Sequence, residues 1–196
     1  MNKKNLYLIA LMAPALLFPN LAYAHTYGAL EAGFFHGLIH PFGGLDHLLA
    51  MIAVGLWAAQ IGGRALWLIP MSFVVMMVGG SAIGMVWGAS SHVELGIIGS
   101  LLVLGTLVAT SWRLSTHLAV CMVGLFAVFH GIAHGAEIPQ ASTPALYGMG
   151  FVLATISLHG LGMMTALFSN NTVSLRLARM TGGIVMIFGL TMIAGY

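Results

Sequence analysis

The sequence predicts an all-α, polytopic membrane protein with six transmembrane helices behind a cleaved signal peptide. Three observations carry that class. Of 196 residues, 60% are hydrophobic and only 5% are Asp, Glu, Lys or Arg, against about 25% charged residues in a soluble domain. The mean hydropathy is +1.01. Apolar runs near the ~20 residues that cross ~30 Å of hydrocarbon recur along the whole chain. Six basic and four acidic residues cannot cover a water-facing surface for a 20.6 kDa chain, so disorder, a coiled coil and nucleic-acid binding are excluded. The single cysteine, Cys121, excludes a disulfide framework and a cysteine-ligated metal cluster within one chain.

Residues 1–24 read as a signal peptide: Lys3 and Lys4 form the basic start and Leu6 to Phe18 the apolar stretch. Pro19 and Asn20 then break the helix, and Ala22-Tyr23-Ala24 supplies the small residues before a cut. Cleavage after Ala24 makes His25 the mature N-terminus, whose amine and imidazole together can chelate a divalent cation. Residues 25–196 then form one six-helix transmembrane domain. Its spans are expected at about 43–61, 65–88, 93–111, 116–134, 145–168 and 177–195. Runs this apolar satisfy their backbone in lipid as helices. Ala29 to Ile39, set off by Pro41 and the Gly43-Gly44 pair, reads as a half-helix or re-entrant lead-in to the first span.

Orientation follows from the arginines. With an exported N-terminus, the connections holding Arg64, Arg113, and Arg176 with Arg179 all face the cytoplasm, while the outer connections hold no Lys or Arg. Glu31, Glu94 and Glu137 map to the outer side. Phe35-His36-Gly37-Leu38-Ile39-His40 also echoes Phe129-His130-Gly131-Ile132-Ala133-His134. An inverted repeat of three helices plus three, common among secondary transporters, is one reading of that echo, and chance similarity of glycine-rich apolar segments is the other.

Ionisable residues inside a span cost roughly 2.5–3.5 kcal/mol each on insertion scales, and they persist where they pair, face a cavity or bind something. Here they are His36, His40, Asp46, His47, His130, His134, Glu137 and His159, nearly all in the outer half of the bundle. His36 with His40, and His130 with His134, stand four residues apart, so each pair shares a helix face about 5–6 Å between Cβ atoms. Two imidazoles so placed can ligate one ion, and neutral imidazole suits zinc, copper, iron and nickel. Asp46 and Glu137 can complete the shell or fix the imidazole tautomers. Met51, one turn below His47, is a candidate soft ligand. His92 and His117 read as interfacial residues, the 26 glycines as sites of close helix packing, and most of the 14 methionines as core or lipid-facing.

The run His40-Pro41-Phe42-Gly43-Gly44-Leu45-Asp46-His47-Leu48-Leu49-Ala50-Met51, with Gly55 and Ala58 after it, resembles the His-Pro-x2-Gly-x-Asp-His-x3-Met signature of the HupE/UreJ family. Phe129-His130-Gly131 with His134-Gly135 and Glu137 is similar to that family's second histidine motif. The resemblance covers the whole chain. It implies a secondary transporter of Ni2+, or in some members Co2+, across the bacterial inner membrane, serving hydrogenases or ureases. It carries His40, Asp46, His47, His130, His134 and Glu137 as site residues; His36 and His159 rest on burial and geometry alone.

The expectation is a non-enzymatic permease. The transported Ni2+ or Co2+ is held transiently, the bilayer is the surroundings, no prosthetic group is required, and a homo-oligomer is compatible. No Gly-x4-Gly-Lys-[Ser/Thr] loop occurs, so the chain does not use ATP. A metal-delivery or assembly subunit and an intramembrane metalloenzyme are the alternatives.

Overall fold

The structure, a computed structural model, describes residues 29–139, 142–167 and 172–195. The predicted signal peptide, its cleavage site and His25 lie outside these residues. The described residues are helical, without a strand: α1 (Ala29–Ile39), a 3-10 turn (His40–Phe42), α2 (Leu45–Ile61), α3 (Ala65–Trp87), α4 (Ser91–Thr110), α5 (Thr116–Ala136), α6 (Pro144–Leu167) and α7 (Thr172–Ala194).

Local sequence explains the breaks. Pro41 in the 3-10 turn has no N–H to continue α1, and Gly44 takes an extended conformation before α2 starts. The chain bends by 80° there, so Gly33–Phe42 and Leu45–Ile61 form a broken pair. Gly62 and Gly63, both at positive φ, end α2. Ser115 starts α5 by accepting the Leu118 N–H on its hydroxyl, and Pro144 stands at the first position of α6.

Five helices, α3 to α7, are long and apolar enough to cross a membrane; the bent α1–α2 pair is a sixth candidate if it counts as one span. Leu45–Ile61 alone has only 17 residues. The last helix begins at Thr172, earlier than expected from the sequence, so Arg176 and Arg179 lie in its first turns rather than in a connection.

The bundle is assembled from close helix pairs: α3 with α5, α4 with α7, and α6 with both α1 and α2. Glycines set the approach, as expected for helices that gain little from hydrophobic contrast in lipid. Gly80 and Gly84 lie on the backbone of Val128 and Ile132, and Gly131 and Gly135 on that of Met77 and Ser81. On the other side Gly55 lies on the backbone of His159, and Gly162 on that of Ile52. Gly105 meets Met186 and Gly182 meets Ala109. None of these positions has room for a Cβ.

One end of the bundle collects the arginines. Trp57 Nε1 donates to the Trp112 carbonyl at 2.9 Å, and Gln60 Nε2 to that of Val108 at 3.1 Å. Arg179 Nε donates to the Ala109 carbonyl at 2.8 Å. The ends of α2 and α4 and the start of α7 are thereby tied together, with Arg64 and Arg113 in the adjoining connections. At the opposite end lie His40, Asp46, Glu94 and Glu137.

Candidate metal centre

Two groups of ligand atoms form where the 3-10 turn, α2 and the end of α5 meet. His47, His130 and His134 are one; His40, His134 and Glu137 are the other, and within each group the ligand atoms lie within 4.8 Å of one another. His130 and His134 share the inward face of α5 because they are one turn apart, and both are buried. His47 comes from the first turns of α2. The 3-10 turn carries His40 away from the α1 axis and over His134, with ring centroids 5.0 Å apart. His134 belongs to both groups.

The tautomers can be read from the partners. The Ser100 hydroxyl donates its only proton to the Ile97 carbonyl at 2.6 Å, so toward His130 Nε2, 3.0 Å away, it can only accept. His130 therefore carries its proton on Nε2 and presents a lone pair at Nδ1. Asp46 Oδ2 stands 3.5 Å from His47 Nε2 and favours the same tautomer there. The two Nδ1 atoms face each other at 3.0 Å, and two lone pairs at that distance need a proton or a cation between them. Metal–imidazole bonds of about 2.1 Å put adjacent ligand nitrogens about 3.0 Å apart at right angles and about 3.4 Å apart in a tetrahedron. Ser100 and Asp46 thus stand where outer partners that orient ligating histidines are found.

His134 and His159 are almost fully buried, and none of their ring nitrogens has a hydrogen-bond partner. An unpaired buried polar group costs about 1–3 kcal/mol, and each instance calls for an explanation. Glu137 Oε2 stands 3.7 Å from His134 Nδ1, beyond hydrogen-bond distance. Glu137 also accepts from His40 Nε2 at 3.0 Å. The His134 ring, and after it that of His40, hold the Glu137 carboxyl well below the usual carboxylate range, so it stays ionised at the mouth of the site.

A cavity of about 360 Å³ opens beside these groups, lined by Asp46, His47, Ser90, Ser91, Glu94 and Glu137. Its three carboxylates suit a hydrated cation. A larger apolar groove of about 690 Å³ lies between α3 and α6 and reaches His134 from the side.

Of the residues predicted from sequence, His40, His47, His130, His134 and Glu137 come together, with Asp46 at the edge. His36 does not join them: its side chain is exposed on α1 and belongs to neither group. Its predicted pairing with His40 depends on one continuous helix, but α1 ends at Ile39 and His40 starts the 3-10 turn. His159 is also in neither group. It stands edge-on to Phe73, centroids 5.1 Å apart, and Phe73 lies 5.6 Å from His130 on its other contact. Met51 is fully buried in the core. Sequence reasoning missed Ser100, Glu94 and Phe73. Glu94 carried the only signal, a charge in a nearly chargeless chain.

Comparison with known proteins gives the family of the chain. No solved structure matches. The curated protein "Protein HupE" of Rhizobium leguminosarum bv. viciae is 41% identical over 181 residues, covering 92% of this chain and 94% of that protein. The family described as "HupE / UreJ protein" matches residues 12–192. A chain with two histidine motifs converging on one end of an apolar helical bundle, matched over nearly its whole length, therefore belongs to the HupE/UreJ family.

Proposed function

We propose that this chain is a permease for a divalent transition-metal ion, Ni2+ first and Co2+ second, in a bacterial inner membrane. The sharing of His134 between two ligand groups carries the reading. A resident metal site needs one fixed set of ligands. Two shells hinged on one imidazole let an ion exchange one set of ligands for the next without returning to bulk water.

The ion enters the cavity beside Asp46, Glu94 and Glu137, where the carboxylates draw it in and water is shed. His40, His134 and Glu137 bind first. His134 then hands the ion to His47 and His130, whose Nδ1 lone pairs face each other. Mixed imidazole and carboxylate ligands hold a first-row cation without trapping it. The arginine end is placed in the cytoplasm by the positive-inside rule, with the mature N-terminus outside and the α1–α2 pair counted as the first of six spans. The membrane potential then favours inward movement of a divalent ion by ~4.6 kcal/mol per 100 mV.

Helix packing supports an inverted relation between 45–110 and the second half of the chain. Gly55 lies between His159 and Met163 as Gly131 lies between Met77 and Ser81; Gly162 meets Ile52 as Gly80 meets Val128. Gly105 on Met186 and Gly182 on Ala109 complete the exchange. This correspondence pairs α2 with α5, α3 with α6 and α4 with α7. It differs from the echo of the two histidine hexapeptides, which pairs α1 with α5.

The test is radioactive nickel uptake by cells expressing the chain, with cobalt, zinc and copper as competitors, alongside Asp46→Asn. Accumulation lost in the variant establishes the permease. Metal bound by the purified protein without accumulation makes it a delivery subunit or a metalloenzyme instead.

A further inference from the structure

The permease reading leaves one group unused. His159 is buried, has no hydrogen-bond partner on either ring nitrogen, and is too far down the bundle to join the two outer groups. Thr155 stands one turn before it on the same face of α6 and is fully buried. The Thr155 hydroxyl meets Met77 Sδ, on α3, at 3.8 Å. Its one proton has a nearer acceptor in the Phe151 carbonyl at 2.9 Å. The contact with sulfur is therefore the weaker use of that proton, and the oxygen keeps lone pairs on the Met77 side. Met77 is itself buried, one turn beyond Phe73 on α3.

We propose that His159, Met77 and Thr155 form a second, inner cation station, separated from the His47/His130/His134 set by the Phe73 ring. The proposal rests on the permease reading and deepens it. The ligand is a borderline-soft first-row divalent cation: imidazole and thioether together favour it over Mg2+ or Ca2+, which take oxygen ligands. The Phe73 ring is in contact with both His130 and His159, at 5.6 and 5.1 Å between centroids, so it bridges the outer set to His159.

The packing of the two halves places this cluster where they meet. The exchange that carries the Gly131–Met77 approach onto Gly55–His159 makes Met77 and His159 equivalent positions, and likewise Phe73 and Thr155. It converts the Phe73–His159 contact into the Thr155–Met77 contact, and both are present. Each half thus contributes one metal-binding side chain to a shared point, the place where repeat-built transporters hold their cargo. A station of one imidazole, one thioether and one hydroxyl binds weakly, as an onward site requires.

The experiment uses the full chain in nanodiscs for equilibrium 63Ni2+ binding and in proteoliposomes for 63Ni2+ uptake. The wild type binds in two steps, the second weaker. His159→Leu retains the first step within about twofold, loses the second, and lowers uptake at least tenfold. Met77→Leu weakens the second step about tenfold, and Met77→His strengthens it. A one-step wild-type isotherm overturns the station, as does a second step that survives in His159→Leu. If His159→Leu does not fold, the two Met77 variants decide: a second step unchanged in both overturns the proposal. If wild-type liposomes take up no nickel, the permease reading fails, and the second binding step alone judges the station.

Discussion

The two ends of the bundle use their polar side chains in opposite ways. At the arginine end, Trp57, Gln60 and Arg179 each donate to a backbone carbonyl near the end of α4. Those carbonyls lie in or just past the last turn of α4, where the regular helical ladder ends, so the side chains act as caps and ties. At the histidine end the polar groups face one another: His47 faces His130, His40 faces Glu137, and His134 is left without a hydrogen bond. A polar group that serves the fold is paired with backbone. One that serves a ligand is aimed at a neighbour of its own kind and waits for a cation or a proton. The same helix, α2, begins in one regime and ends in the other.

The largest effect that would break this contrast is at His134. His134→Ala removes a ligand from both groups and is expected to lower nickel uptake by about two orders of magnitude or more, with unchanged protein in the membrane by immunoblot. Uptake within threefold of wild type would mean that the shared imidazole is not the hinge of the site. Ser100→Ala comes next. It frees His130 to change tautomer, and loss of such an outer partner typically lowers metal affinity 10–100-fold. Its counterpart at the other end, Gln60→Leu, is expected to leave nickel affinity alone and instead lower thermal stability by about 1 kcal/mol, the net worth of one hydrogen bond, since the Val108 carbonyl keeps the Ser111 N–H. A stability loss in Ser100→Ala with intact affinity would reverse the assignment.

Smaller effects sharpen it. Glu94→Gln should raise the nickel concentration for half-maximal uptake a few-fold and flatten its dependence on ionic strength, since the change is in attraction rather than ligation. For pH, the direction follows from Glu137. Its folded value lies below its ordinary 4.5, so its contribution is fully present above pH 4.5 and is lost only as pH falls through the lowered value. Any decline in uptake between pH 7 and 5 therefore does not come from protonation of Glu137, and Glu137→Gln should lower uptake while leaving a decline in that range in place. A decline that disappears in Glu137→Gln would tie the titration to that carboxylate. The smallest effect is at His36: His36→Ala should leave uptake within about twofold, because its exposed ring meets neither ligand group.

The residues legible from sequence share a feature. Asp46, His47, His130 and His134 lie close together along the chain, in runs where helical periodicity settles which face they share. His40 was legible as a ligand but not by the route that periodicity offered, because Pro41 ends α1 and the 3-10 turn redirects the chain. The same break removes His36 from the site. Ser100 and Phe73 sit alone in apolar helices. A serine or phenylalanine there reads as packing until the helix across from it is known.

The sequence by itself determined that the chain is a helical membrane protein with arginines at one end and carboxylates with histidines at the other. Solvation decides those features residue by residue: apolar runs leave water, charges stay near the ends, and prolines and glycines mark the breaks. Only the tertiary structure decided which imidazoles meet, that His134 belongs to two groups, and that His159 stands edge-on to Phe73 from the other half. Those contacts join residues up to 97 positions apart. They depend on how closely the glycines let α3 meet α5 and α2 meet α6, a distance that no local pattern specifies.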